Sequence, residues 1–559
     1  MGTIFIFSSI VGASLLLIRT VVVGAWNRRA LPPGPRGLPI LGNVLQFGMS
    51  QSLWFTFDKL QSKYGPIVYL NMAGKDIVVL NTKAVATELL DRRSAIYSNR
   101  PASIVTRHLG SELLLSIAQY GKSWQTLRRA GHAVLNARIS TEYQPLQIEE
   151  AIIFAHGLLC DDSRSLIAKI NSSASIIISA IYGKQLLSSG RIEKILDAAR
   201  QNQAPTHEIR PSDKLHITSD PLQTLCNIAH RFTNAIYPGA HLVEFMPILD
   251  RLPTSIAKWK REAQRDFQCI SYTFENYFND AVKNDQRQAS VCVKLTDGQE
   301  AIGSTDFENT WLAGSLSVAA LETTSTTLSF FLYAMTLHPE VQREAQLEID
   351  RVVGRSRNPT FADMKHLPYV RAIVKEVLRW QPAIPLAVPH VLMEDDWYEG
   401  YLIPKDTIVI ANIWQVPSIL SINRDKEIYG PDADEFRPER FLRQSERGLG
   451  FELRPEFENE DGHHTYGFGR RICVGRHLAD NALFIDICTI LWALRIEHTA
   501  FTDVAATTKQ DSSMKDILNT RPPVPYQIFN ADSLLDSQNP RDYSNPYETR
   551  YDGMGNSNL

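Results

Sequence analysis

The chain has 559 residues, 44% hydrophobic and 21% charged, with a formal net charge of −3. This is globular composition able to bury a large core, and the balanced charge gives no ground for a nucleic-acid or strongly acidic partner. The six cysteines, Cys160, Cys226, Cys269, Cys292, Cys473 and Cys488, are widely spaced without a CxxC pair. That argues against a zinc site and against a disulfide framework.

Residues 3–26, TIFIFSSIVGASLLLIRTVVVGAW, are almost wholly apolar and long enough to span a bilayer as one helix. Arg19 can snorkel to the interface, and Arg28 and Arg29 follow at once. The positive-inside rule then puts the bulk of the chain in the cytosol. A cleaved signal peptide fits less well, because no basic residue precedes the apolar run. Residues 27–45 read as a stiff linker. Pro32, Pro33, Pro35 and Pro39 each fix a backbone angle and remove a donor, which excludes helix.

The body spans 46–530. Within it, 64–82 predicts two short strands around a turn at Ala73-Gly74-Lys75, and 400–414 predicts further strand. Apolar residues recurring at three- and four-residue spacing predict helices over 310–337, 339–353, 367–380 and 476–496. The fold expected is therefore mainly α with a smaller β portion. Segments 201–221 and 415–421 read as irregular. The tail 531–559 is poor in aliphatics and reads as disordered.

The most informative string is YGFGRRICVG, 466–475, with a helix expected directly after it. A thiolate at a helix N-terminus gains from the dipole and from free N–H groups, which lower its pKa. Gly467, Gly469 and Gly475 let the backbone turn tightly and approach a flat cofactor, and Arg471 can pair with an acid on that cofactor. The bland alternative is a structural cysteine in a glycine loop. Glu376 and Arg379, three apart in VKEVLRW, share a helix face. In AALETT, 319–324, Thr323 is positioned to bond back to the Ala319 carbonyl and distort the helix, and Ala319 and Ala320 leave room there. Trp124 and Arg128, four apart, also share one face.

Together these strings resemble the cytochrome P-450 family over about residues 31–530. Gly469, Arg471, Cys473 and Gly475 match its F-x-x-G-x-R-x-C-x-G loop, with Tyr466 where the family usually has Phe. A buried tyrosine hydroxyl needs a partner. The resemblance implies the cytochrome P-450 fold behind an N-terminal single-pass membrane helix. It implies heme b (iron protoporphyrin IX) with the Cys473 thiolate on the iron. By the same likeness, Arg471, Trp124, Arg128 and His390 reach the haem or its propionates. FRPERF, 436–441, brings Arg440 to Glu376 and Arg379 in a buried structural network. Glu322 and Thr323 match the acid–alcohol pair of oxygen activation, with Ala320 in place of Gly. Ala319, Ala320, Ile384, Leu386 and Val388 fall where the family lines its substrate pocket, which here is apolar.

The reaction implied is insertion of one atom of O2 into an apolar small molecule. No flavin or dinucleotide fingerprint is evident, so electrons from NADPH need a separate NADPH-cytochrome P-450 reductase, with cytochrome b5 as a further donor. Lys122, Arg129 and Arg470 are candidate docking contacts or plain surface charges. The phrases YPGAHLVEF (237–245), EDDWYEGYLIPKDT (394–407) and NRDKEIYGPDADEFRPERF (423–441) are similar to fungal microsomal members such as the O-methylsterigmatocystin oxidoreductase group. That likeness implies secondary-metabolite biosynthesis at the endoplasmic reticulum membrane. Two alternatives stay open: a haem-thiolate isomerase or dehydratase, and a non-catalytic haem-binding membrane protein.

Overall fold

The computed structural model describes residues 30–530 apart from 39–40, 48–59, 160–172, 174, 184–217, 219, 237–240, 245, 284–289, 415–420, 446–449, 459–461 and 499–525. The expected membrane helix at 3–26, the tail 531–559, and most of the segments 201–221 and 415–421 lie outside the described residues. Among the described residues, no helix is long and apolar enough to cross a membrane. The described prolines of the linker are non-helical, as their missing N–H groups require.

Two compact units emerge. The first comprises residues within 1–101, 384–434 and 467–472. Its main sheet contains β1 (Ile67–Met72), β2 (Lys75–Leu80), β3 (His390–Val391) and, after a small hairpin of β4 (Asp396–Tyr398) and β5 (Tyr401–Ile403), β6 (Ile408–Ala411). The order is β1-β2-β6-β3, with β2 and β6 parallel and the other pairs antiparallel. The predicted hairpin forms, with Met72 opposite Lys75. Ala73 and Gly74 both take positive φ (51° and 89°), the backbone a tight two-residue turn demands. The strand expected over 400–414 divides in two. Asp406, at φ 65°, turns the chain, so β5 pairs with β4 while β6 joins β2 and β3.

The second unit comprises residues within 102–383, 435–466 and 473–559. Its longer helices are α1 (Lys122–Leu135), α2 (Gln144–Leu159), α3 (Ser175–Tyr182), α4 (Pro221–Ile236), α5 (Lys258–Lys283), α6 (Val291–Asp297), α7 (Asp306–Leu337), α8 (Pro339–Val352), α9 (Pro368–Trp380) and α10 (Arg476–Ala493). It also holds β7 (Leu442–Gln444), β8 (Phe451–Leu453), β9 (Leu494–His498) and β10 (Tyr526–Asn530). The helix expected to end at 496 stops at Ala493, because Leu494–His498 pairs antiparallel with Tyr526–Asn530. That partner lies too far along the chain for local periodicity to reveal.

The 32-residue helix α7 is the axis of this unit. A reciprocal Thr305–Glu308 capping box starts it, with the Thr305 hydroxyl accepting from the Glu308 N–H at 3.1 Å. Trp311, Leu312, Leu328, Phe331 and Leu332 are fully buried in the core. A Cβ at Gly314 would lie 2.3 Å from the Phe274 ring, so glycine is what lets α5 and α7 approach. One stripe of α7 is less covered: Leu316, Ala319, Ala320, Thr323 and Phe330 all retain solvent exposure. Their spacing of three, four and seven places them on a single helix face.

Candidate functional site

In the second unit, the Cys473 N–H donates to the Tyr466 carbonyl at 2.9 Å, closing the loop just before α10. The helix begins at Arg476, as the sequence predicts, with Gly475 as its N-cap. Cys473 is half-buried. Burial pushes its thiol up, against the opposing pull of the Gly475 N–H and the Arg128 guanidinium. The helix terminus thus supplies the stabilisation expected of it, but desolvation outweighs it in the protein alone.

Arg128 is half-buried on α1, and burial lowers its pKa while the Cys473 charge raises it. Trp124, one turn earlier, is buried, and its indole N–H donates to the Leu115 carbonyl at 3.2 Å. That ring nitrogen is therefore committed to the chain. Further along α1, a Cβ on Gly131 would meet Val474 at 3.3 Å, so α1 packs directly on the cysteine loop. Lys122 and Arg129 lie exposed on the same helix.

In the first unit, the Gly469 N–H donates to Asp91 at 2.5 Å. Gly469 has φ 54°, and a Cβ there would fall 2.2 Å from the Leu90 carbonyl oxygen. Only glycine fits. Gly475 is different: its φ is −89° and an added Cβ meets nothing within 4 Å. Its value is open space, not a special backbone angle. Arg471 is buried and its Nε donates to the Ser98 carbonyl at 2.7 Å. His390 Nδ1 bonds the Tyr97 carbonyl at 2.8 Å, and Arg100 donates to the carbonyls of Val388 (2.5 Å) and Pro389 (2.8 Å).

Three basic groups are therefore gathered in one buried region. Burial drives Arg100 well below its ordinary value, and the Arg471 charge adds to the effect. His390 is held well below its ordinary value by burial, then by Arg100, with Arg471 contributing. Guanidinium pairs hold carboxylates well, so this concentration suits a ligand with acidic side arms. Beside it, residues 384–388 form a turn, with Ala387 at φ 53° and its N–H on the Ile384 carbonyl at 3.2 Å. Ile384 is exposed, and Leu386 and Val388 are only half-buried.

The predicted ion network forms in the second unit. Arg379 donates to both Glu376 oxygens, at 2.6 and 2.8 Å, and Arg440 Nε donates to Glu376 at 3.0 Å. The Arg437 N–H adds a fourth bond at 2.7 Å, and both guanidiniums also reach the Glu435 carbonyl. Glu376 and Arg379 are fully buried. The Thr465 hydroxyl donates to the Leu378 carbonyl at 2.6 Å, which fastens α9 to the loop leading to Cys473.

On α7, the Thr323 hydroxyl donates to the Ala319 carbonyl at 3.0 Å, as expected. The expected distortion is absent: α7 runs unbroken through 319–323. Ser317, Ser325, Thr327 and Ser329 make the same bond, so back-bonding alone does not single Thr323 out. Its place on the uncovered stripe, next to Glu322, does.

Sequence reading missed Asp91, Arg100 and Asp480. Asp91 and Arg100 meet their partners across some three hundred residues or more, and Asp480 meets Tyr466 fourteen residues away across the cysteine loop; only the Asn99-Arg100-Pro101 string, an arginine before a helix-breaking proline, carried any local signal. The residues present fit an iron porphyrin. In the second unit, Cys473 offers a soft sulfur donor at a helix start and the open space at Gly475 leaves room for a flat ring; in the first, the Arg471 and Arg100 guanidiniums suit carboxylates.

This donor set suits a haem-thiolate protein. The cytochrome P-450 family profile matches residues 32–528, and the chain belongs to that family. A cytochrome P-450 monooxygenase of Armillaria gallica is 42% identical over 506 residues, covering 89% of each chain. Cytochrome P-450 monooxygenase 58 of Postia placenta is 43% identical over 486 residues, covering 86% of this chain and 85% of its own. A cytochrome P-450 monooxygenase of Amanita muscaria is 36% identical over 516 residues, covering 84% of this chain and 85% of its own. The protein is accordingly an oxidoreductase of the monooxygenase class.

Proposed function

We propose that this monooxygenase holds heme b through the Cys473 thiolate and inserts one atom of O2 into an apolar small molecule of fungal secondary metabolism. The observation that carries the reading is Cys473 at the start of α10, with the Gly475 N–H and the Arg128 charge acting on it. When bound, the haem iron supplies the oxygen-activating centre, and thiolate ligation favours O–O cleavage. By the family likeness, Arg471 and His390 of the first unit, with Arg100 beside them, and Trp124 and Arg128 of the second would hold the carboxylate arms. Glu322 and Thr323 hold and pass protons. Ala319, Ala320, Ile384, Leu386 and Val388 offer small or apolar surface to the substrate. Electrons come from NADPH through a separate reductase, assisted by cytochrome b5, and exposed Lys122, Arg129 and Arg470 are suited to docking it.

The test is the reduced carbon monoxide difference spectrum of the full chain. Wild type gives the thiolate-type band and Cys473→Ala loses it along with activity. An unchanged spectrum in the variant overturns the ligand assignment. Product analysis after co-expression with a reductase identifies the substrate.

Attachment to the endoplasmic reticulum membrane by residues 3–26, with the catalytic body in the cytosol, belongs to the same reading. It is supported by the apolar run and by Arg28 and Arg29. Exposed Leu242, Met246, Ile248 and Ile256 add an apolar surface suited to lipid. Alkaline extraction of membranes, with protease protection, tests it: release of the full chain into the supernatant refutes the anchor.

A further inference from the structure

Glu322 has a neighbour that the sequence did not suggest. Helix α4 packs along α7, and His230 of α4 brings its Nε2 to 3.2 Å from Glu322 Oε1. That oxygen is itself out of contact with solvent, and the approach lies off the line of a good hydrogen bond. The His230 side chain as a whole is 49% exposed, so it reaches both bulk water and the carboxylate.

The surroundings reinforce the pairing. Glu322 holds His230 above its ordinary pKa, against a smaller opposing effect of burial. Among the described residues, Cys226, one turn earlier on α4, and Asp220, whose charge also acts on Cys226, are further titratable groups here. The Cys226 thiol is pushed up to about 12 by burial first, then by Glu322. The adjacent Arg231 is turned to Asp266 of α5 at 2.7 Å. On a helix, successive residues diverge by about 100°. Glu322 therefore faces α4, while its neighbour Thr323 lies on the uncovered stripe of α7.

We propose that His230 is the positioning and proton-supply residue of Glu322. The imidazolium Nε2–H passes its proton to the carboxylate, the neutral imidazole regains one from solvent, and the Glu322 carboxyl carries the proton to the side of the helix where Thr323 lies. This rests on the reading of Glu322 as a proton carrier. A merely structural role predicts little, since a half-exposed ion pair of this kind adds little to stability.

Two readouts separate these roles. The first is the NMR titration of the His230 imidazole in the full chain, which needs no turnover. It titrates above an ordinary histidine in wild type and returns to ordinary in Glu322→Gln. No change between the two overturns the pairing. The second is NADPH oxidation by the reductase-reconstituted full chain without added substrate, followed as hydrogen peroxide released per NADPH across the range where histidine titrates. Efficient proton delivery diverts electrons from peroxide to water. In wild type the ratio rises as pH increases. In His230→Ala and His230→Gln it is high throughout, by about threefold at the acid end, and loses its pH dependence. If Glu322→Gln raises the ratio while both His230 variants keep the wild-type level and profile, the His230 proposal falls alone. If Glu322→Gln has no effect, the proton-carrier reading falls with it.

Discussion

The Tyr466 hydroxyl donates to Asp480 of α10 at 2.5 Å. This is the partner that a tyrosine in the usual Phe position requires, and it ties the start of the cysteine loop to the second turn of the helix that ends it. The Asp480 charge also acts on Cys473, pushing its thiol up. The departure from Phe is thus compensated locally, by the same carboxylate that acts on the sulfur. Tyr466→Phe should cost about 1.5–3 kcal/mol of local stability, the usual range for a hydrogen bond to a charged group. Asp480→Asn should lose less, and the double variant should cost less than the sum of the singles. A double-mutant cycle on thermal unfolding measures this, and strict additivity would refute the coupling.

Glu376 is the single acid shared by two buried guanidiniums. Glu376→Ala leaves both without it, a change that typically costs about 3–5 kcal/mol. Since Thr465 fastens α9 to the cysteine loop, the variant should purify with substoichiometric haem. Haem content per chain is the check. Full occupancy at wild-type stability would show that the network is dispensable.

The two glycines flanking Cys473 should behave oppositely. Gly469→Ala meets both a left-handed backbone angle and the Leu90 carbonyl, and strain alone is worth about 1–3 kcal/mol. It should fold poorly. Gly475→Ala meets neither, so its unfolding temperature should match wild type, while its haem affinity falls if the ring occupies that open space. Equal effects on folding would contradict the geometry described.

Glu348 accepts the N–H groups of Tyr369 and Val370, capping the start of α9, yet burial pushes its carboxyl up to about 7. A raised carboxyl pKa means that the folded state binds a proton the unfolded chain has released. Stability therefore falls as pH rises from about 4.5 to about 7, at roughly 1.4 kcal/mol per unit for this one group. Glu348→Gln keeps an acceptor for both N–H groups and cannot titrate. Relative to wild type, it should grow more stable across that window and hold a constant advantage above it. Parallel denaturation curves at each pH measure the difference. A pH-independent gap would refute the shift.

Local geometry explains what was legible in the chain. The Glu376–Arg379 contact follows from three-residue spacing on a helix, the Thr323 bond to Ala319 from four-residue spacing, and the β1–β2 turn from Ala73-Gly74. The cysteine loop could be read because glycines, arginine and cysteine stand within ten residues and the helix follows directly. Where a distant partner intervened, the reading slipped: β9 replaced the end of a helix, and 400–414 split between two pairings.

By itself, the sequence determined the family, the glycine- and arginine-rich loop around Cys473 and the helices that frame it, because those depend on neighbours within a turn or two. Tertiary structure alone decided the partners: Asp91 under Gly469, Arg100 beside Arg471, Asp480 under Tyr466 and His230 against Glu322. Such pairs join residues far apart in the chain, where burial and charge, not spacing, choose which groups meet.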